Sequence, residues 1–150
     1  MDDLFFMGQA LAEAKRAYNN NETPIGCVIV SNGEIIARAC NERNAKKNVL
    51  GHAEIIAINA ACGYIGDWRL DGCRIYVTAE PCPMCAGAIV QARIPFLIFG
   101  AKNPKAGSAG SVLNIVQEPR YNHQVVVISG LMGDECGAII SDFFKRFRLS

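Results

Sequence analysis

The 150-residue sequence contains no long hydrophobic run and no strong excess of charge of one sign. No uninterrupted apolar stretch reaches the roughly 18 residues that a membrane-spanning helix requires. The N-terminus is acidic at Asp2 and Asp3, and it lacks the basic start and the cleavage site of a secretory signal peptide. We therefore expect a cytoplasmic protein with no membrane partner.

The formal net charge is only +1, whereas nucleic-acid-binding domains are often strongly basic. Any contact with RNA would have to come from a local basic patch. The sequence also has no internal repeat and no low-complexity linker, and 51% of its residues are hydrophobic. That fraction is ample for a buried core, so we predict a single domain that spans residues 1–150.

Cysteine is abundant, but its pattern does not favour disulfide bonds. The count of seven is odd, no secretion signal precedes it, and Cys82 and Cys85 form a Cys-x-x-Cys pair. This combination is typical of reduced thiols, some of which bind a metal.

The spacing of apolar residues predicts a regular order of helices and strands. A helix is expected from Leu4 to about Asn19, and Asn32-Gly33 between two apolar runs predicts a β-hairpin with a type I′ turn. The other predicted elements are a loop at 41–51, a helix at 52–62 ended by Gly63, strands at 75–77, 96–99 and 125–128, a helix from Pro83 to about Ala92, and a last helix from about Asp134. This order predicts a three-layer α/β/α sandwich around a five-stranded mixed sheet.

Cys82 and Cys85 lie three positions apart in the first turn of a predicted helix, so both sulfurs can reach one ion. The partial positive charge and free amides of a helix N-terminus stabilise the thiolates that zinc requires. Two buried cysteines without a ligand role, and a redox dithiol, are the alternatives for this pair.

His52 and Glu54 form the second half of the candidate metal site. Residues two apart on a regular helix point about 200° away from each other, so both cannot face one metal from the middle of a helix. We therefore predict that His52 stands at or just inside the helix cap, where the backbone is still extended. The alternative for Glu54 is a carboxylate that only interacts favourably with the helix dipole.

Two thiolates and one imidazole are the three protein ligands of a catalytic zinc site, which leaves one position for water. Zinc lowers the pKa of its bound water to roughly 7 and so supplies hydroxide at neutral pH. Glu54 is well placed to move a proton from that water to a substrate nitrogen, which predicts hydrolytic deamination. A structural zinc site, with Cys27, Cys40 or Cys73 as a fourth ligand, is the alternative.

His52-Ala53-Glu54 and the segment Pro81–Cys85 match the signature of zinc-dependent cytidine and nucleobase deaminases. Beyond the signature, the chain resembles the bacterial tRNA-specific adenosine deaminases over nearly its whole length. The segments that carry this resemblance are Thr23–Val28, Asp67–Leu70, Tyr76–Thr78, Cys85–Ala88, Ser108–Ser111, Asn122-His123 and Ser141–Phe144.

The resemblance implies conversion of adenosine to inosine at the wobble position of a tRNA anticodon, usually of an arginine tRNA, by a homodimer with one zinc ion per subunit. His52, Cys82 and Cys85 would bind zinc, and the resulting hydroxide would attack purine C6. Glu54 would carry protons from the water to N1 and to the departing ammonia.

The resemblance also assigns substrate contacts. Asn41 would hydrogen-bond the flipped base, and the Ala53 amide would hold the developing oxygen. The C-terminal segment 143–148 mixes aromatic and basic residues, which suits an unstacked anticodon loop. We expect Phe144 and the basic residues to lie near the RNA and Phe143 to lie in the core.

Lys102 and Lys105 are expected to contact phosphate, and Asn103 between them departs from the family pattern, which commonly has aspartate there. An amide removes a negative charge near the RNA backbone and adds a donor, while a strict acceptor role is lost. Our hypothesis is that Asn103 relaxes discrimination by the 2′-hydroxyl.

Two other functions are compatible with the motifs. A deaminase of free nucleobases, nucleosides or nucleotides would use the same zinc chemistry, but it would not need the long polar loop at 100–111 or the basic aromatic tail. A non-catalytic, zinc-stabilised RNA-binding protein would tolerate replacement of Glu54.

Overall fold

The computed structural model describes residues 2–148 and contains one five-stranded sheet with helices on both faces. The elements in chain order are α1 (Asp3–Asn19), β1 (Gly26–Ser31), β2 (Glu34–Cys40), α2 (Arg43–Lys46), α3 (Ala53–Ile65), β3 (Cys73–Ala79), α4 (Pro83–Gln91), β4 (Phe96–Ala101), a 3-10 turn (Ile115–Gln117), β5 (Val126–Ser129) and α5 (Gly133–Arg148). The strand order is β2-β1-β3-β4-β5, with β3, β4 and β5 parallel and β1 antiparallel to both neighbours. The predicted three-layer architecture is confirmed.

Successive residues of the central strands face opposite helical layers, as the pleat of a strand requires. On β1, Cys27 and Ile29 pack in the cluster that contains α3 and α4 residues, whereas Val28 and Val30 pack with α1 and Cys136 of α5. All four of these β1 side chains are buried. A strand that is apolar on both faces needs helices on both faces, which explains its place near the centre of the sheet.

The N-terminal helix α1 lies very close to β1. Asp2 caps the helix by accepting a 3.1 Å hydrogen bond from the Phe5 amide. At Gly26, a Cβ atom would lie only 2.0 Å from the carbonyl oxygen of Ala10. Glycine at this position therefore allows the backbones of α1 and β1 to approach each other.

Two predicted turns can be checked against backbone angles. Asn32 and Gly33 both have positive φ (52° and 78°), which confirms the type I′ hairpin. The prediction that Gly63 ends α3 is wrong. The helix continues to Ile65 and ends at Gly66, whose φ of 79° lets its amide bond to the Cys62 carbonyl at 2.8 Å.

The loop predicted at 41–51 contains the four-residue helix α2, which sequence patterning did not indicate. Its amides are held by Glu22, a buried carboxylate that accepts hydrogen bonds from the backbone N–H groups of Asn44 (3.1 Å) and Ala45 (2.8 Å). We call residues 41–51 the β2 loop. Glu22 fixes this loop directly before His52.

The last helix, α5, starts at Gly133, one residue before its predicted start. Phe143 is buried and stacks edge-on against Tyr18 of α1, with ring centroids 5.9 Å apart, so its predicted place in the core is confirmed. Phe144 is 45% exposed. Arg148 is one of the basic residues that were predicted to lie near the RNA, and its side chain lies outside the described part of the chain. Within residues 2–148, no helix is long and apolar enough to cross a membrane.

Candidate active site

His52 is the N-cap residue of α3. Its backbone is extended (φ −87°, ψ 143°), and Ala53 is the first helical residue. The predicted position of His52 at the start of the helix is therefore confirmed. Because its angles are not helical, its side chain is not constrained to the direction opposite Glu54.

Cys82 and Cys85 open α4. Cys82 is the N-cap residue in an extended conformation (φ −72°, ψ 174°), and its carbonyl accepts the Ala86 amide at 2.8 Å. Pro83 follows at the first helical position, where its missing N–H costs no helical hydrogen bond. Cys85, one turn into the helix, is fully buried. Both thiols therefore lie at the start of α4, shortly after the end of β3.

The three predicted ligands come together. The Nδ1 atom of His52 lies 3.6 Å from the Cys82 sulfur and 3.5 Å from the Cys85 sulfur, and the ligand atoms of all three lie within 4.8 Å of one another. Ordinary Zn–S and Zn–N bond lengths in a tetrahedron place nitrogen and sulfur about 3.6 Å apart, so the arrangement fits a zinc ion. Within residues 2–148, Cys27, Cys40 and Cys73 do not join this cluster.

The two thiols have pKa values that are shifted in opposite directions. A hydrogen bond from Cys85 lowers the pKa of Cys82 to about 5, against the opposing effect of burial. The backbone amides of Cys85 and Met84 and the nearby His52 ring lower it further. The same shared proton raises the pKa of Cys85. The direction of this change is the one predicted for a thiolate at the α4 N-terminus, although its largest cause is the Cys85 thiol and not the helix end.

Glu54 lies in the first turn of α3, and only 4% of it is exposed. Burial raises the pKa of its carboxyl to about 7, and the negative charge of Cys82 acts in the same direction. Hydrogen bonds from its own backbone amide and from the Cys85 side chain oppose this rise. A carboxyl group with a pKa near 7 can both accept and donate a proton at neutral pH.

Asn41 and Ala53, which the resemblance assigns separate substrate contacts, form one hydrogen-bonded pair. The backbone amide of Ala53 donates to Asn41 Oδ1 at 2.9 Å, and the backbone amide of Asn41 donates to the Ile25 carbonyl at 3.1 Å. The Ala53 amide is therefore engaged by Asn41. Within residues 2–148, Asn41 Nδ2 forms no hydrogen bond, which leaves this donor for a substrate.

Lys102 and Asn103 lie in the β4 loop, which we define as residues 102–114. Lys102 is exposed, whereas Asn103 shapes the loop. Its Oδ1 atom accepts backbone hydrogen bonds from Lys105 and Ala106, each at 3.2 Å. The side chain of Asn103 thus still acts as a hydrogen-bond acceptor, and its acceptor oxygen is used within the loop.

Sequence reasoning missed Glu80, which holds the β4 loop in place. It is buried, and its carboxylate accepts four hydrogen bonds from Asn103, Ala109 and Ser111. Burial favours the neutral form, but these bonds outweigh it and lower the pKa of Glu80. The one available signal was an acidic residue directly before Pro81-Cys82, although its partners lie 23–31 residues further on.

Six of the predicted site residues therefore form one centre, namely Asn41, His52, Ala53, Glu54, Cys82 and Cys85. Asn103 is connected to that centre through Glu80, and Lys102 directly precedes Asn103 in the β4 loop. Phe144 lies on α5, where its ring contacts Phe143 with centroids 5.5 Å apart.

The model of the MafB19-like deaminase family matches residues 1–148. The fold and the His-Cys-Cys site with its buried glutamate agree with that match, and the chain belongs to this deaminase family.

Comparison with individual proteins identifies a subgroup within this family. The chain is 49% identical over 146 residues to the tRNA-specific adenosine deaminase of Bacillus subtilis, covering 97% of this chain and 91% of that protein. It also resembles a solved structure from a study of A-to-I editing by tRNA deaminases at the wobble position of transfer RNA, with a TM-score of 0.87, 44% identity and coverage of 90% and 98% of the two chains. Within the deaminases, the chain belongs to the tRNA-specific adenosine deaminases.

A more distant likeness is to the guanine deaminase of Bacillus subtilis. That structure has a TM-score of 0.67 and 29% identity, and the alignment covers 100% of this chain and 96% of the other. The related fold therefore also occurs in a deaminase of a free base.

Proposed function

We propose that the protein converts adenosine and water to inosine and ammonia at the wobble position of a tRNA anticodon loop. The observation that carries this proposal is the cluster of His52, Cys82 and Cys85 beside a buried Glu54. The nearly full-length similarity to tRNA-specific adenosine deaminases supplies the substrate class. The choice of an arginine tRNA rests on the family resemblance.

His52, Cys82 and Cys85 would hold one zinc ion per subunit. Soft thiolates combined with imidazole favour zinc among the common divalent metals. The N···S distances of 3.5 and 3.6 Å support this choice. Zinc bound there would activate water for attack on the purine ring.

Glu54 would carry the protons of the reaction. Its carboxylate would take one proton from the attacking water and deliver it to purine N1. It would then take the remaining proton from the hydroxyl group on C6 and transfer it to the exocyclic amine, which leaves as ammonia. Burial beside Cys85 keeps this carboxyl away from bulk water and close to the reacting atoms.

Asn41 would fix the base through its free Nδ2 donor, which can bond a ring nitrogen of adenine. The Ala53 amide would support that contact by holding Asn41 Oδ1 in place. Outside the centre, Lys102 and Asn103 of the β4 loop and Phe144 of α5 would contact the rest of the anticodon loop, through phosphate attraction and base stacking respectively.

We further propose a homodimer formed through the α3–α4 side of the molecule. A cleft of about 460 Å³ on this side is lined by Ile58, Cys62, Trp68, Ala88, Gln91 and Ala92. Trp68 is 55% exposed, and exposed apolar surface of this kind is typical of protein interfaces.

All seven cysteines are free thiols, which supports a reducing, cytoplasmic environment.

One set of assays tests the proposed reaction. The purified zinc-loaded protein is incubated separately with an anticodon stem-loop, adenosine, cytidine and guanine, and the products are quantified. We expect inosine from the stem-loop alone, and loss of that activity in Glu54→Ala with zinc content unchanged.

Other product patterns would contradict the proposal in defined ways. Xanthine from guanine would favour a free-base deaminase, the activity named for the 29% identical structure. Tight binding of the stem-loop without any product, unaffected by Glu54→Ala, would indicate a non-catalytic RNA-binding protein.

A further inference from the structure

Glu80 is a buried carboxylate that the proposed chemistry does not use. Only 2% of it is exposed, and it lies two residues before Cys82. Its Oε1 atom accepts hydrogen bonds from the backbone amide of Asn103 (3.1 Å) and from the Ser111 hydroxyl (2.5 Å). Its Oε2 atom accepts from the amides of Ala109 and Ser111, both at 3.0 Å. All four bonds therefore come from the β4 loop.

Further contacts tie this loop and the end of β4 to the same short segment. The Ser108 amide donates to the Pro81 carbonyl at 2.8 Å, and the Glu80 amide donates to the Ala101 carbonyl at 2.8 Å. A Cβ atom at Gly107 would lie 2.5 Å from the Glu80 carboxyl carbon and 2.4 Å from the Asn103 carbonyl oxygen. Glycine is thus required at 107 for the loop to close around Glu80.

The loop held in this way carries side chains that point to an interaction with RNA. Lys102 and Lys105 are exposed, and neither forms a salt bridge within residues 2–148. A cleft of about 780 Å³ is lined by Glu80, Phe99, Lys102, Pro104, Ala109, Gly110, Ser111 and Ser129. The Glu80 carboxylate thus links the start of α4, which carries the metal ligands, to a loop with two exposed lysines.

We propose that Glu80 is a positioning residue for RNA binding, which holds the β4 loop at a fixed place relative to the catalytic centre. This inference rests on the proposed function for its substrate. A loop released from Glu80 would have to be ordered again on each binding event, so affinity for RNA falls. The chemical step depends on His52, Cys82, Cys85 and Glu54, and it proceeds unchanged once the RNA is bound.

A carboxylate is needed because both oxygens accept two hydrogen bonds each. In Glu80→Gln, the side-chain NH₂ group cannot accept a hydrogen bond. The least costly orientation points this NH₂ group at the Ser111 hydroxyl, which can accept, but then it opposes the Asn103 amide. Glu80→Gln should therefore release Asn103 first and leave the bonds from Ala109 and Ser111 to the remaining oxygen.

The test compares Glu80→Gln and Gly107→Ala with the unsubstituted protein and with Ile98→Val. Ile98 is buried in the core cluster that contains α1, so this control lowers stability without touching the loop. For each protein, kcat and KM for the anticodon stem-loop, zinc content, and hydrogen exchange of the β4-loop amides are measured. We expect both loop variants to raise KM about tenfold with kcat within about twofold, with full zinc content and faster exchange at Asn103. Ile98→Val should match the unsubstituted KM.

Other results would overturn the inference. An unchanged KM with faster exchange at Asn103 would show that loop order does not govern binding. A fall in kcat or in zinc content at constant KM would assign Glu80 to the metal site. If the unsubstituted protein does not deaminate the stem-loop at all, the proposed function fails, whereas unchanged exchange at Asn103 in Glu80→Gln would refute the role of Glu80 by itself.

Discussion

The β2 loop and the β4 loop flank the same catalytic centre, and each is held by one buried glutamate that binds backbone amides. Glu22, just beyond α1, accepts two hydrogen bonds from α2. Glu80, just beyond β3, accepts four from the β4 loop. Thus the two anchors use the same chemistry but differ in the number of hydrogen bonds and in what they are attached to.

The attachment is the more informative difference. The Glu22 anchor joins the β2 loop to the α1 layer, on the far face of the sheet from α3 and α4. The Glu80 anchor joins the β4 loop to the two residues that precede the ligand Cys82. The β2 loop itself also runs directly to the ligand His52, so the difference lies in the anchoring carboxylates. We infer that Glu22 is positioned by the scaffold, whereas Glu80 is positioned together with the metal site.

The largest effect is expected from Glu54→Gln, which removes the proposed proton carrier and leaves both anchors intact. Loss of an acid–base group in a buried site should lower kcat for the stem-loop by about a thousandfold. Steady-state or single-turnover kinetics measure this change. Zinc content and hydrogen exchange in both loops should match the unsubstituted protein, and retained activity would contradict the role of Glu54.

A smaller effect distinguishes the strengths of the two anchors. Glu80→Gln should lower the free energy of unfolding by about 3 kcal/mol and Glu22→Gln by about 1.5 kcal/mol, because the first disturbs a carboxylate with twice as many donors. Urea denaturation of the zinc-loaded proteins measures both values. Equal losses would show that the number of bonds does not determine the strength of the anchor.

Removal of the metal tests what each loop is attached to. Chelation should speed hydrogen exchange at Asn103, Ala109 and Ser111 about tenfold, because Cys82 is covalently next to the segment that holds them. The amides of Asn44 and Ala45 should exchange at an unchanged rate, since Glu22 is anchored away from the ligands. Equal acceleration in both loops would remove the distinction, and restoring zinc provides the control for reversibility.

The smallest effect is expected from Asn103→Asp. An aspartate oxygen can accept the same two amides from Lys105 and Ala106, so stability should change by less than about 0.5 kcal/mol. The added charge should raise KM for the stem-loop about threefold at low salt, and the difference should shrink as salt rises. Parallel assays on matched RNA and DNA hairpins test the hypothesis about the 2′-hydroxyl, which an unchanged rate ratio would refute.

The sequence predicted features that depend on local chemistry. Asn32-Gly33 indicated its turn because few dipeptides accept positive φ at both positions, and the spacing of Cys82 and Cys85 indicated two sulfurs at one helix start. The position of His52 followed from helix geometry alone. Gly63 was wrong as a helix end because glycine is tolerated inside a helix, and only the positive φ at Gly66 ends α3.

The two anchors could not be predicted, because their partners lie far away in sequence. Glu22 binds amides 22 and 23 residues later, and Glu80 binds groups 23 to 31 residues later. Apart from the position of Glu80 directly before Pro81-Cys82, neither residue occurs in a pattern that distinguishes it from a solvated surface glutamate. Backbone amides also carry no side-chain identity, so a carboxylate that binds them leaves no complementary residue in the sequence.

That choice of partner has an electrostatic consequence for a chain whose net charge is only +1. The carboxylates of Glu22 and Glu80 are stabilised mainly by backbone amides and not by a lysine or an arginine. The cations of the β4 loop, Lys102 and Lys105, consequently remain unpaired within residues 2–148. A nearly neutral protein can in this way present a locally positive surface to a polyanion.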